Sequence, residues 1–158
     1  MNVNYLFPNK YKPIGWFVLI PSATFWFITV LLDLEPDFLT FNLPTLFIDE
    51  LFGEMQFFGM TKNNLLNEII GAIIIISSII VAFSKEKSED EYISKIRLES
   101  LVWAVYVNYG ILLISLFCIY DLAFMWVMIF NMFTILLFFI IRFKWQISKL
   151  KKSASYEE

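Results

Sequence analysis

The chain has 158 residues, of which 59% are apolar and 17% charged, with a formal net charge of −3 and a mean hydropathy of +0.68. Soluble domains hold about 45–50% apolar residues, so this composition points to a bilayer and excludes disordered, collagen-like and low-complexity chains. The absence of His and the single cysteine, Cys118, exclude a His-based acid–base pair, a Cys/His metal site and an internal disulfide.

A membrane-spanning helix needs about 20 mostly apolar residues. The first such stretch, Ile14 to Leu32, is uncharged and follows Lys10 and Lys12. It exceeds a usual signal-peptide core, and no A-x-A-like cleavage site precedes Asp33, so an uncleaved anchor is expected. Pro21 lies inside it and removes the hydrogen bond to the Phe17 carbonyl; a kink is expected there, with Ser22 and Thr24 placed to serve freed backbone groups.

Residues 33–64 form the longest non-spanning segment, acidic through Asp33, Glu35, Asp37, Asp49, Glu50 and Glu54, yet rich in Leu and Phe. Asn42 followed by Pro44 reads as a helix start and Gly53 as a stop, which predicts a short helix from Pro44 to Phe52. So much apolar surface is expected to fold onto the membrane interface or over the helices, or else to dock another protein. The carboxylates lack the spacing of a calcium loop, and solvation accounts for them.

The second crossing, 65–84, is uncharged from Ile69 to Ser84 and carries Glu68 about one turn inside. A charged run follows, in which Ser88 with Glu91 fits a capping box and Glu89, Asp90 and Glu91 suit the positive end of a helix. A helical extension over 88–100 can therefore run unbroken into the third crossing, 101–120. Glu91, Lys95 and Arg97 on it are the candidate surface for a cytoplasmic partner, although a solvated extension that enforces topology explains the same residues. The third and fourth crossings, 101–120 and 122–141, are broken only by Asp121, where a tight turn would make an antiparallel hairpin. The tail, 142–158, opens with five basic residues; it serves as a stop-transfer flank and offers anionic lipid a surface.

Lys and Arg divide eleven to one between the two sides of this arrangement, only Lys62 lying on the acidic-loop side. Both termini are therefore expected in the cytoplasm, with Trp16, Trp103 and Trp145 at the cytoplasmic interface. Polar residues within the crossings fall in stripes: Asn67, Gly71, Ser78 and Ala82 in the second, and Ala104, Asn108, Ser115 and Cys118 in the third. The fourth adds Asn131 and Thr134. Asn67, Ser78, Asn108, Ser115, Asn131 and Thr134 are the candidate polar packing residues, joining helices of one chain or of two copies; an Asn108 to Asn131 contact is open to them. Ion and proton pathways usually show a charge near mid-membrane, and no crossing has one, so packing is preferred to a solute path.

Ile14-Gly15-Trp16, Phe83-Ser84-Lys85-Glu86-Lys87, Glu89-Asp90-Glu91, Arg97-Leu98, Ser100-Leu101-Val102-Trp103-Ala104-Val105, Asn131-Met132-Phe133 and Ile140-Ile141-Arg142-Phe143 resemble a family of uncharacterised small bacterial membrane proteins with four spans. The resemblance implies association with a helix-turn-helix regulator, brings no established activity, and transfers no catalytic or binding residue. The expected molecule is an all-α, polytopic inner-membrane protein, a four-helix bundle in a single integral membrane domain. Phosphate-loop and dinucleotide patterns are absent, no cofactor is implied, and nucleic acid is not an expected partner. An accessory or regulatory role through protein partners is expected, the alternative being a small channel or transporter subunit working as an oligomer.

Overall fold

The computed structural model describes residues 5–32, 34, 36–48 and 56–156. In chain order these form a 3-10 turn Asn9–Tyr11, α1 Lys12–Leu32, a second 3-10 turn Asp37–Leu39, the strands β1 Thr40–Ile48 and β2 Gln56–Asn64, and the helices α2 Leu66–Ala82, α3 Glu91–Cys118 and α4 Asp121–Tyr156. The fold is predominantly helical. Three stretches, Asn9–Leu32, Glu91–Cys118 and Asp121–Ser153, are long and apolar enough to cross a bilayer, and only 22%, 17% and 17% of their apolar windows are buried. Residues such as Phe17, Leu31, Tyr106, Phe117 and Ile141 face outward. Apolar surface on that scale is at home in lipid, where a helix also satisfies its own backbone. α2 is apolar but has 17 residues, a rise of about 26 Å against about 30 Å of hydrocarbon.

The chain divides into two compact units, one of residues up to Leu19 with those from Ile75 onward, the other Ile20–Ile74. In the second unit, α1 continues as helix through Pro21, and the Thr24 hydroxyl donates to the Ile20 carbonyl at 2.9 Å. The helix predicted from Pro44 to Phe52 is corrected by the structure: as far as Ile48 it is strand, and the rest of that segment lies outside the described residues. β1 pairs antiparallel with β2 in a register that sets Phe41 opposite Asn63, Leu43 opposite Thr61 and Pro44 opposite Met60. Each strand of a two-stranded ribbon turns one row of N–H groups away from its partner, which is the setting in which Pro is tolerated within a strand. Asn64 anchors the ribbon. Its amide donates to the Pro36 carbonyl at 2.8 Å, while its Oδ1 accepts from the Leu66 N–H at 3.1 Å at the start of α2.

In the first unit, α3 and α4 form an antiparallel hairpin whose turn is Ile119 and Tyr120, with Asp121 at a φ of 58°. Asp enters the left-handed region more easily than most residues because its short polar side chain bonds locally. The α3 N-cap is Asp90, whose carboxylate accepts from the Ile93 N–H at 2.7 Å, and not the predicted Ser88. Both are good caps; the choice falls to Asp90 because Glu89, just before it, is held by Arg97 and by the Glu86 N–H. The buried side of α3 runs Ile93, Ile96, Arg97, Ser100, Ala104, Asn108, Ser115, the spacing of a single helix face. Phe133, Phe139, Ile140, Phe143 and Ile147 are the buried side of α4. Phe83, Phe139 and Phe143 stack in series at centroid separations of 5.7 and 5.8 Å. α1 and α2 meet closely at Gly15, where an added Cβ would lie 2.8 Å from Val81 Cγ2.

Candidate functional site

In the first unit, charged residues at the start of α1, after α2 and around the start of α3 are joined by direct contacts. A peptide strap accompanies them: the Phe7 N–H donates to the Phe83 carbonyl and the Lys85 N–H to the Phe7 carbonyl, each at 2.9 Å, giving a parallel bridge between Phe7 and Ser84. The Asn9 amide adds a bond to the Lys85 carbonyl at 2.6 Å. One turn later, Lys12 at the start of α1 is ion-paired with Glu86.

Arg97 is the centre of the second knot. It is 8% exposed, and its guanidinium donates from both terminal nitrogens to Glu89, at 2.5 Å to Oε1 and 3.1 Å to Oε2. This fork fixes direction as well as charge. A further contact, at 3.4 Å, reaches the Ser84 carbonyl, and the guanidinium lies 5.0 Å from the centre of the Phe143 ring. The Lys12 ammonium is 5.7 Å from the same ring. One aromatic side chain of α4 thus receives cations from α1 and α3, an attraction of about 0.5–2 kcal/mol each.

Beyond Ile141, α4 repeats the pattern with tryptophan. Lys144 sits 4.0 Å from the Trp16 ring of α1, Arg142 4.5 Å from Trp103 of α3, and Lys149 3.9 Å from Trp145. Indole rings with stacked cations are suited to headgroup depth, where an apolar body and a charge are both accommodated.

The predicted residues are placed as follows. Between α3 and α4, Asn108 is 3% exposed and its Oδ1 accepts from the Thr134 hydroxyl at 2.7 Å; that hydroxyl is also 3.1 Å from the Asn131 carbonyl. Asn108 is therefore joined to Thr134 and not to the Asn131 side chain, one helical turn away. Ser78 and Ser115 are buried, whereas Asn67 and Cys118 are exposed. Of the surface predicted for a partner, Glu91 and Lys95 are exposed, but Arg97 is buried in its fork with Glu89 and does not belong to an open face. In the other unit Glu68 accepts from the Asn63 amide at 2.7 Å.

Sequence reasoning missed the pairing of Lys12 with Glu86, because 74 positions separate them and no local spacing marks the pair. The Glu89 to Arg97 fork had a faint signal, two turns of separation within one charged run. Among the described residues no group of three or more His, Cys, Asp and Glu side chains is assembled for a metal. Chemically, the arrangement can hold the start of α1, the end of α2 and the start of α3 in register against α4 and present a basic, tryptophan-rimmed surface. No family model, curated protein or solved structure matches the chain.

Proposed function

We propose that this is a non-catalytic integral protein of the bacterial cytoplasmic membrane, crossing it four times with both termini inside, and acting on protein partners as an accessory or regulatory subunit. The observation that carries the topology is parity. Lys12 and Glu86 touch, which supports an even number of crossings in the chain between them. If α1 crosses, α2 must return, and the helix of 17 residues, followed by Phe83 and Ser84, has the length to do so at a slightly thinned bilayer. Lys144 over Trp16 applies the same parity to α3 and α4. All of these contacts lie at the end to which the eleven-to-one charge imbalance assigns the cytoplasm.

The exposed turns of α3 around Glu91, Tyr92, Lys95 and Glu99 are the cytoplasmic handle for a partner. Capture from mild detergent extracts with the wild-type chain, lost on combining Glu91→Lys with Lys95→Glu, supports the role. A monodisperse chain that retains no partner from cells grown under several conditions overturns it.

A further inference from the structure

Lys12 and Arg97, on α1 and α3, are neutralised by Glu86 and Glu89. α4 differs. After Asp121 it contains no acidic residue as far as Tyr156, yet Arg142, Lys144, Lys149, Lys151 and Lys152 all fall beyond Ile141. Among the described residues no ion pair neutralises Arg142, Lys144, Lys149 or Lys151. Lys144 lies over the Trp16 ring; a ring attracts an ammonium without carrying a charge to cancel it, and leaves N–H donors for another acceptor.

One stripe of this basic end is organised. Leu137, Ile141, Lys144, Ser148 and Lys151 follow at spacings of four, three, four and three, which sets them along a single helix face. Leu137 is half-buried and Ile141 is 65% exposed, while Lys144, Ser148 and Lys151 are exposed. The stripe thus changes from apolar to cationic between Ile141 and Lys144, at the level where Trp16 of α1 lies against it. Indole rings favour headgroup depth. Lys144 and Lys151 are about 10 Å apart along the axis, with Ser148 between them. A phosphate over Ser148 meets a hydroxyl donor and two ammoniums on flexible four-carbon stems, and acyl chains continue over Ile141 and Leu137.

The lack of an opposing carboxylate selects the headgroup. Glu86, the carboxylate brought to the start of α1, is ion-paired with Lys12. A headgroup with its own amine finds no anion on the stripe and meets two cations, whereas phosphate with uncharged hydroxyls meets attraction alone.

We propose that the stripe of Lys144, Ser148 and Lys151 holds one anionic glycerophospholipid of the phosphatidylglycerol type, with its phosphate over Ser148 and its acyl chains on Ile141 and Leu137. This rests on the reading that α4 leaves the hydrocarbon just after Ile141. The test is native mass spectrometry of the full chain in mild detergent, titrated with phosphatidylglycerol, phosphatidylethanolamine or phosphatidylcholine. One phosphatidylglycerol is retained about tenfold more tightly than either of the others. Lys144→Gln and Lys151→Gln each weaken that retention about fivefold. Lys149→Gln, which removes the same charge from another face of α4, leaves it nearly unchanged. All three lysines are exposed, so the variants keep the fold. Equal retention of the three lipids overturns the proposal, as does an equal loss on Lys149→Gln, which would show a diffuse charge effect. A chain released from membranes without detergent overturns the membrane reading itself, whereas one that needs detergent yet shows no preference among the lipids overturns the lipid site alone.

Discussion

The Lys12 ammonium, at the first residue of α1, is ion-paired with the Glu86 carboxylate four residues beyond the end of α2. The two side chains are only 12% and 14% exposed, so the pair is partly desolvated and either member alone would be an uncompensated charge. Removing one partner is expected to cost about 1–3 kcal/mol. In thermal unfolding of the detergent-solubilised chain, Lys12→Ala and Glu86→Ala should each lower the midpoint, with the double variant losing less than their sum. Strict additivity would show that the contact contributes nothing.

Arg97 should be less replaceable than Lys12. Its fork to Glu89 uses two nitrogens in a plane, and an ammonium cannot reproduce that geometry. Arg97→Lys is expected to destabilise by about 1–2 kcal/mol and Arg97→Ala by about 2–4 kcal/mol, the latter leaving Glu89 part-buried and unpaired. An Arg97→Lys chain as stable as wild type would contradict the role given to the fork.

Gly15 and Gly110 offer a paired comparison. A Cβ at Gly15 meets Val81 Cγ2 at 2.8 Å, Ile80 Cγ2 at 3.1 Å and the Val81 nitrogen at 3.3 Å, while Gly110 has nothing within 4 Å. Val and Ile are stiff at χ1 in a helix and cannot swing aside. Gly15→Ala should therefore destabilise by about 1–3 kcal/mol through overpacking. Gly110→Ala should be neutral or stabilising by up to about 1 kcal/mol, since Ala is the better helix former. Reversal of that order in unfolding measurements would place α1 and α2 further apart.

The Asn108 to Thr134 bond is expected to couple by about 0.6–1.7 kcal/mol, the range for polar pairs between membrane helices. The cycle Asn108→Leu, Thr134→Val and the double variant isolates it. Proton or ion flux in liposomes that Asn108→Leu abolishes would instead favour a transport subunit.

Topology can be read from the single cysteine. Cys118 is exposed and ends α3 beside the turn at Asp121. An impermeant maleimide should label it in intact cells, whereas the Cys118→Ser chain with Ser88→Cys should react only after permeabilisation. The opposite pattern would invert the protein.

Membrane residence was legible residue by residue, since partition into lipid is close to a sum over side chains within one helix. α1, α3, α4 and the turn before Asp121 follow from runs of apolar residues and one interrupting charge. The buried stripe of Ala104, Asn108 and Ser115 was visible for the same reason, as helical periodicity is local. The segment after Asn42 is strand and not helix because its cap-like Asn and Pro are compatible with both, and the choice depends on Gln56–Asn64 being available as a partner. Long-range pairing alone decided that ribbon, the partner of Asn108, and the contacts of Lys12 with Glu86 and Phe7 with Ser84. Such contacts exist only when distant segments are brought into one register, which burial of stacked rings such as Phe139 and Phe143 achieves and no local pattern encodes.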